Sequence, residues 1–239
     1  MKKVVAIIPA AGSGKRMNES VNKQFLKIGD KTVIERTLAA FEASKQVSEV
    51  ILVTKYEEIP SLNNIIKASG IKKVRSLVEG GAERQDSIYN GLKETRSDDD
   101  WILVHDGARP FITSTMIDEM VEALLMENEQ QAQSRYKSLV MAVPSKDTVK
   151  RVKGNKVEET LNRSELFNIQ TPQAFSRELL VESYDKAIQA GYKGTDDASI
   201  VEWMGHDVFI HMGSYENIKI TTPDDLYLGE AILKKRGEI

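Results

Sequence analysis

The chain has 239 residues, of which 41% are apolar and 29% are charged, and it contains no cysteine. A chain of this length buries roughly 70–75% of its unfolded surface on folding, so a globular core needs neither a metal nor disulfides. The lack of cysteine excludes a disulfide scaffold, thiol catalysis and thiolate zinc, and the net charge of −3 argues against broad binding to nucleic acid or to anionic membranes.

The first predicted element is a strand at residues 4–8, where apolar residues of mainly β-branched type follow one another. Two lysines precede this run, which gives the start of the chain a superficial likeness to a secretory signal. The run includes Pro9, ends at Ala11 and is followed by glycines and basic residues, so we expect a strand and no signal peptide. No apolar run approaches the ~18 residues of a membrane span, and we expect a cytoplasmic protein.

Strands and helices then alternate over the first half of the chain. Apolar runs predict strands at 4–8, 50–53, 74–78, 101–104 and 138–143, and helical spacing of apolar residues predicts helices at 32–43, 59–68, 83–92 and 116–126. This alternation predicts an α/β fold with a Rossmann-like, mainly parallel sheet, in a single domain that covers residues 1–239. Such sheets bind ligands at the carboxyl ends of their strands, so the loops after residues 8, 78 and 104 form the first candidate site.

The alternation stops after the fifth strand. Two short polar segments, 148–152 and 156–160, flank Gly154 and Asn155, a pair that is typical of a hairpin turn. Because these segments are too polar to form a core of their own, residues 145–168 are predicted to be a projecting β-arm that needs a partner surface. The remaining predicted elements are helices at about 177–190 and 197–203, a strand at 208–211, and a final helix with Thr222 as N-cap and Pro223 at its first position.

A glycine-rich loop follows the first strand, from Pro9 to Met17. Its small residues let backbone N–H groups approach phosphate oxygens, and Lys15, Arg16 and Lys23 add positive charge. A P-loop would need Ser or Thr after the lysine, where this chain has Arg16. A dinucleotide-binding loop would need a third glycine and an acid at the end of the second strand, which ends at Thr54. The remaining candidate is the loop of nucleotidyltransferases.

Nine motifs, each weak alone, occur in order along the chain. They are Ala10-Ala11-Gly12-x-Gly14-x-Arg16-Met17, Lys23-Gln24, Gly80-Gly81-x-x-Arg84-x-x-Ser87, His105-Asp106-x-x-Arg109-Pro110, Asp147-Thr148, Arg163, Gln170-Thr171-Pro172-Gln173, Thr195-Asp196 and Asn217-x-Lys219-Ile220-Thr221. Together they resemble the 2-C-methyl-D-erythritol 4-phosphate cytidylyltransferase family of the non-mevalonate isoprenoid pathway. The resemblance implies an enzyme that joins CTP to this polyol phosphate and releases pyrophosphate, with Mg²⁺ or another divalent cation accompanying CTP.

The resemblance also gives each candidate residue a role. Catalytic roles, which are charge stabilisation at the α-phosphate and orientation of the acceptor phosphate, are implied for Arg16, Lys23, Arg163 and Lys219. Contacts with CTP are implied for Pro9, Ala10, Ala11, Gly12, Gly14, Lys15, Gly80, Gly81, Arg84, Ser87 and Gly107. Contacts with the acceptor are implied for Asp106, Arg109, Thr148, Thr171 and Thr195. The attacking phosphate is already anionic at neutral pH, so no general base is expected, and no metal ligand is assigned.

In the family the arm crosses to a second subunit, where the equivalents of Thr148 and Arg163 contact the acceptor. The resemblance therefore implies a homodimer, although the residues alone would equally permit a solvent-facing hairpin. This chain departs from the usual pattern at Ala82, where many relatives have Asp, and at Gly107, where Ala is more usual. The second change is expected to leave more room beside the ribose.

Several alternatives stay open from the residues. Ribitol-5-phosphate cytidylyltransferases share the fold, the arm and most motifs, although the pairs Ala10-Ala11 and Gly107-Ala108 favour methylerythritol phosphate. A non-catalytic nucleotide-binding regulator predicts gaps among the charged site residues, and the sequence has none. Asp106 and Arg109 could form a simple local ion pair, and His105 is expected to be a packing residue because no metal-ligand spacing of histidines is present.

Overall fold

A seven-stranded sheet forms the centre of the fold in this computed structural model, which describes residues 2–12, 22–130 and 136–239. The strands of the described chain are β1 (Val4–Pro9), β2 (Lys27–Ile28), β3 (Lys31–Thr32), β4 (Glu49–Thr54), β5 (Val74–Glu79), β6 (Trp101–Val104), β7 (Ser138–Pro144), β8 (Lys150–Lys153), β9 (Lys156–Thr160), β10 (Phe167–Ser176) and β11 (Phe209–Met212). The α-helices are α1 (Val33–Ala43), α2 (Ile59–Ala68), α3 (Arg84–Lys93), α4 (Ser114–Gln130), α5 (Arg177–Ala190), α6 (Asp197–Trp203) and α7 (Asp224–Arg236). Short 3₁₀ helices occur at Lys23–Phe25, Tyr56–Glu58 and Arg163–Glu165.

The order of strands in the large sheet is β11-β7-β10-β6-β1-β4-β5. β1 pairs in parallel with β4 and β6, β4 pairs in parallel with β5, and β11 pairs in parallel with β7. β10 runs antiparallel to both of its neighbours, β6 and β7. The expected mainly parallel α/β sheet is therefore confirmed, with β10 as the reversed strand.

The inner strand β1 is buried on both faces, as its unbroken apolar sequence predicts. Val4, Ala6 and Ile8 pack into a core with residues of α1, α2 and α4 on one face of the sheet. Val5 and Ile7 point to the other face, where they pack with residues of α3, α5 and α6. This two-sided burial fixes the sheet between two helical layers and leaves the carboxyl ends of its strands as an exposed edge.

The predicted helix boundaries agree with the structure to within a few residues, and side-chain caps explain two of them. Thr32 and Glu35 form a capping box at α1, and Asp196 and Ser199 form one at α6. The expectation for the last helix was wrong in detail. The helix begins at Asp224 with Pro223 as N-cap, and the carboxylate of Asp225 accepts the N–H groups of two preceding residues, Thr221 and Thr222, each at 2.7 Å.

Strand β10 was not predicted from the sequence. Its polar stretch Gln170-Thr171-Pro172-Gln173 has the composition of a loop, and proline is rare inside a sheet because it cannot donate a ladder hydrogen bond. The pairing with β7 shifts register between Ile169 and Gln173, so the proline lies in an irregularity where no regular donor is required. The burial of the surrounding residues against β6 and β7 outweighs the preference of this polar segment for a loop.

The predicted hairpin within residues 145–168 is present. β8 and β9 pair antiparallel with Lys153 opposite Lys156, and Gly154 in the turn has a φ of +58°. Every residue of both strands is exposed, and the large sheet does not include them. Val152 and Val157 are among the exposed apolar side chains of the described chain, so the hairpin carries apolar surface that its own subunit leaves uncovered.

Candidate active site

A pocket of about 490 Å³ opens at the carboxyl ends of β1, β5 and β6. Its size is typical of a site for a small molecule such as a nucleotide. The predicted residues that line it are Pro9, Ala11, Gly12, Lys23, Gly80, Gly81, Arg84, Ser87, Asp106, Gly107 and Lys219. Ala10 lies behind this wall in the core, and Gly14, Lys15 and Arg16 lie outside the described residues. The pocket thus lies at the edge of the sheet where the sequence predicts it.

One wall of the pocket is built from glycines because backbone segments meet there at very short range. A Cβ on Gly80 would lie 2.6 Å from the Cβ of Ala11, and a Cβ on Gly81 would lie 2.2 Å from that of Asp86. Gly81 N–H donates to Ser87 Oγ at 3.1 Å, and the Ser87 hydroxyl donates to the Glu83 carbonyl at 3.0 Å. The hydrogen of Ser87 is therefore used, and its oxygen can only accept a further bond.

Lys23 is carried by the 3₁₀ helix Lys23–Phe25, close to the end of β1. Its ammonium donates to the carbonyl of Ile220 at 2.9 Å, which brings together two distant parts of the chain. The neighbouring Gln24 is buried, and its Nε2 donates to the carbonyl of Ala10. These bonds attach the lysine to both the glycine-rich loop and the segment that precedes α7.

Asp106 is the centre of a charge cluster at the end of β6. Its carboxylate lies 2.8 Å from Lys219 Nζ, 3.2 Å from Arg84 Nε and 3.7 Å from Arg109 Nε. Burial alone would favour protonation, but the attraction of Arg84, Lys219 and Arg109 is larger and holds the pKa of Asp106 well below its usual range. The carboxylate therefore stays charged, and the surrounding cations exceed it in number.

Arg84 bridges two carboxylates. Its Nη2 lies 2.7 Å from Oδ2 of Asp197, while its Nε faces Asp106. Asp197 is completely buried, and its Oδ1 accepts a hydrogen bond of 2.5 Å from the hydroxyl of Tyr184. Asp196 caps α6, whereas the adjacent Asp197 is buried in the first turn of that helix. The apolar residues that follow Asp197 in α6 were the available signal that its side chain is buried.

His105 and Thr171 hold the backbone of Asp106 in position through hydrogen bonds. Nε2 of His105 lies 3.2 Å from the carbonyl oxygen of Arg109, which can only accept, so Nε2 carries the hydrogen. Burial lowers the pKa of His105 to about 4, so the ring is neutral and its Nδ1 accepts from the Thr171 hydroxyl at 3.1 Å. The Thr171 oxygen in turn accepts the N–H of Asp106 at 3.0 Å. His105 is the packing residue that the sequence indicated, and Thr171 positions the loop behind the pocket wall.

Arg109 is not among the residues that line the pocket. Its Nη1 donates to the carbonyl of Asn217 at 2.8 Å, and its side chain is only 13% exposed. Desolvation by this burial lowers the pKa of Arg109. The guanidinium therefore holds the segment before Lys219 against Asp106. It adds positive charge to the site although it lies behind the residues that line the pocket.

Three further predicted residues are not among those that line this pocket. Thr148, Arg163 and Thr195 are exposed and do not line it. Arg163 donates from Nη1 to the carbonyl of Lys146 at 3.1 Å, at the base of the arm.

The expectation that Gly107 leaves more room beside the ribose was wrong. A Cβ on Gly107 would lie 3.1 Å from Ile34 Cδ1, 3.2 Å from the carbonyl oxygen of Pro9 and 3.3 Å from Gln24 Oε1. The missing methyl group would thus occupy a narrow space among packed atoms. Glycine here allows closer packing of the pocket wall and adds no open volume to the pocket.

The described residues hold no cluster of three or more histidines and carboxylates with metal-binding geometry. Four acids line the pocket, namely Glu57, Glu79, Glu83 and Asp106. Among the helices of the described chain, none combines the length and apolar character that crossing a bilayer requires.

A mainly parallel sheet whose carboxyl edge carries a nucleotide-sized pocket of glycines and cations defines an α/β nucleotidyltransferase. The family model described as IspD, 2-C-methyl-D-erythritol 4-phosphate cytidylyltransferase, matches residues 4–235. The chain belongs to this family.

Curated relatives and solved structures agree with the family. The 2-C-methyl-D-erythritol 4-phosphate cytidylyltransferase of Halalkalibacterium halodurans is 44% identical over 230 residues, 96% of each chain. That of Bacillus pumilus is 46% identical over 228 residues, 95% of each chain. The crystal structure of 4-diphosphocytidyl-2C-methyl-D-erythritol synthase from Anaerococcus prevotii superposes with a TM-score of 0.83 at 33% identity, covering 98% of this chain and 96% of that one. These matches confirm the resemblance and do not favour the ribitol phosphate or regulator alternatives.

Proposed function

We propose that this enzyme transfers the cytidylyl group of CTP to 2-C-methyl-D-erythritol 4-phosphate in isoprenoid precursor synthesis. An oxygen of the acceptor phosphate attacks the α-phosphorus of CTP, the bond to the β-phosphate breaks, and pyrophosphate leaves with the electron pair. The observation that carries the proposal is the convergence of Gly12, Lys23, Asp106 and Lys219 on one pocket. Glycine backbones and cations are the groups that a triphosphate and a second phosphate require.

The glycine wall is the proposed site of the cytosine base. The absence of side chains at Gly80 and Gly81 allows a base to approach the backbone closely. Because the hydrogen of Ser87 is used by the Glu83 carbonyl, the hydroxyl oxygen offers an acceptor, which suits the exocyclic amino group of cytosine. Uracil presents a carbonyl oxygen at this position, so the arrangement favours CTP over UTP.

The reacting phosphates are proposed to lie between Lys23 and Lys219. Lys23 extends from the 3₁₀ helix Lys23–Phe25 and bonds the carbonyl of Ile220, the residue after Lys219, and Lys219 is paired with Asp106. Both lysines would stabilise the negative charge that develops as the α-phosphate is attacked, together with Arg16 of the loop. No proton has to be removed from the acceptor phosphate at neutral pH, which fits a buried neutral His105 that takes no part in acid–base chemistry.

A divalent cation such as Mg²⁺ is proposed to enter with CTP. Mg²⁺ in nucleotide enzymes is usually held by substrate phosphates and by one or two carboxylates, so the small number of acids in this pocket fits such a cation. Asp106 is the candidate carboxylate, since its pKa is held low and it is ionised. The cation would neutralise charge on the phosphates as pyrophosphate leaves.

The chain is proposed to act as a single domain and as a homodimer in which each arm reaches the active site of the partner subunit. Support comes from the exposed apolar residues Val152 and Val157, and from the position of Thr148 and Arg163 outside the pocket of their own chain. A hairpin whose two strands are exposed along their whole length gains stability from a second surface.

The use of CTP, an intracellular metabolite, supports a cytoplasmic location.

The proposed function is tested by pyrophosphate release with CTP and a panel of four- and five-carbon polyol phosphates. Turnover with 2-C-methyl-D-erythritol 4-phosphate well above that with ribitol 5-phosphate is expected. The variant Lys23→Ala should lose turnover while its circular dichroism spectrum and thermal midpoint stay close to those of the parent. Lys186→Ala, on the exposed face of α5, is the matched control. Comparable rates with both acceptors, or an unaffected Lys23→Ala enzyme, would contradict the proposal.

A further inference from the structure

Asp197 is a buried carboxylate whose contacts lead directly to the pocket. Its side chain has no exposed surface, and its two oxygens are bound by different partners, Arg84 at 2.7 Å and Tyr184 at 2.5 Å. Arg84 continues the connection to Asp106, whose other oxygen binds Lys219. Helices α5 and α6 are thereby joined to the pocket through an unbroken series of polar contacts.

A buried carboxylate is stable only when it is paired and hydrogen-bonded, and in the described chain Arg84 is the cation within ion-pair distance of Asp197. The pairing also acts on the arginine. Nε is used by Asp106 and Nη2 by Asp197, so the guanidinium plane is fixed from two sides. Neither carboxylate uses Nη1, and 31% of the Arg84 side chain remains exposed at the pocket wall.

We infer that Asp197 is a positioning residue for nucleotide binding, acting through Arg84, with Tyr184 holding the carboxylate in its orientation. This inference rests on the proposed function, because it takes the ligand beside Arg84 to be CTP. Without the negative charge of Asp197, Arg84 is left with Asp106 as its partner and turns towards it. The guanidinium then no longer presents a fixed edge to the pocket.

The variant Asp197→Asn keeps the shape of the side chain and removes its charge. The expected result is an increase of about tenfold in KM for CTP, and in Kd for CTP measured by calorimetry, with kcat within about threefold of the parent. Tyr184→Phe should raise KM in the same direction by about threefold, since the carboxylate remains. Asp196→Asn is the matched control: asparagine also caps a helix, and Asp196 does not contact Arg84.

A double-mutant cycle separates positioning from a purely structural role. In an Arg84→Ala background, Asp197→Asn should leave KM for CTP unchanged and should raise the thermal midpoint, because it removes a buried charge that has lost its partner. A merely structural Asp197 would instead lower the thermal midpoint of the otherwise unchanged enzyme and leave the affinity for CTP unaltered, which would overturn the inference. Equal CTP affinity of parent and Asp197→Asn overturns the inference alone, whereas failure of the parent to bind CTP overturns the proposed function as well.

Discussion

Nζ of Lys219 lies 2.8 Å from Oδ2 of Asp106, so the lysine of the segment before α7 and the carboxylate after β6 are directly paired. The Lys219 side chain remains 35% exposed at the pocket, while the Asp106 side chain is only 10% exposed. A phosphate that enters the pocket can therefore take the exposed side of Lys219 while Asp106 holds its other side. The pair fixes a cation in place before the reaction, which lowers the cost of reorganisation during charge development.

We therefore predict that Lys219→Ala lowers kcat by about 10²–10³-fold, the usual effect of removing one charged donor from a transition state. Lys219→Arg should recover part of the rate, because arginine keeps the charge with a different geometry. Steady-state pyrophosphate release measures both. The exposed Lys186→Ala variant controls for a general loss of positive charge. A rate for Lys219→Ala within threefold of the parent would show that this lysine does not touch the reacting phosphates.

A second prediction concerns the glycine wall. Gly80→Ala places a Cβ 2.6 Å from the Cβ of Ala11, so the end of β5 and the glycine-rich loop must separate. We expect a stability loss of about 1–3 kcal/mol, as for other overpacked sites, and an increase of about tenfold in KM for CTP. Denaturant unfolding and steady-state kinetics measure the two effects.

The neighbouring side chain provides the control for this substitution. Ala11→Gly removes the methyl group with which the new Cβ collides, so the double variant Gly80→Ala/Ala11→Gly should recover most of the lost stability and affinity. If the double variant is as impaired as Gly80→Ala, the close approach of these two residues is not what requires the glycine.

The fold was largely predictable from the sequence because its signals are local. The apolar run of β1 and the helical spacing of apolar residues in α1 and α2 show in each segment's own sequence which side chains are buried. β10 was missed because its place in the sheet depends on packing between β6 and β7, which outweighs a polar sequence with a proline. The composition of the segment itself carries no information about packing between strands that are distant in the sequence.

The sequence predicted which residues belong to the site better than it predicted how their side chains are arranged. Glycines and cations of the motifs do line one pocket, but the direction of each side chain depends on tertiary partners. Arg109 turns towards the Asn217 carbonyl and Thr171 supports the backbone of Asp106, so neither lines the wall on which the motif alone would place it. The pairing of Asp197 with Arg84 has no local sequence signal, because the two residues are 113 positions apart in the chain. Only the folded structure brings these pairs together.

A third prediction concerns metal removal. Turnover should stop on addition of EDTA and return with excess Mg²⁺, because the cation is expected to travel with CTP. The thermal midpoint of the ligand-free enzyme should not change on EDTA addition, since the described residues contain no cluster that would hold a structural metal. A drop in the midpoint, measured by calorimetry, would instead indicate a resident metal.

A fourth prediction tests the arm. If Arg163 acts in the partner subunit, a heterodimer of Lys219→Ala and Arg163→Ala subunits contains one site in which both side chains are intact. Random mixing of the two inactive variants should then restore about a quarter of the parent activity, because half of the dimers are mixed and each has one intact site. Activity that stays at the level of the separate variants would place Arg163 in its own subunit's site or outside any site.

The last prediction follows from the burial of His105, which lowers its pKa from 6.5 to about 4. Above pH 6.5 the ring is neutral in both the folded and unfolded states, so it has no effect on the pH dependence of stability. As the pH falls below 6.5 the unfolded state binds a proton that the folded state does not accept, and the free energy of unfolding decreases. The expected loss from this residue is about 2 kcal/mol between pH 7 and pH 5, and about 3 kcal/mol near pH 4.

Two measurements check this effect. Denaturant unfolding should show a smaller loss of stability with falling pH in His105→Gln than in the parent, whereas His206→Gln, at an exposed position, should follow the parent curve. His211, whose pKa is also lowered by burial, contributes in the same direction and is present in all three proteins. If His105→Gln does not fold, NMR titration of the parent gives the answer directly. The His105 ring should remain neutral at pH 5, and protonation near pH 6.5 would contradict its role as a buried acceptor for Thr171.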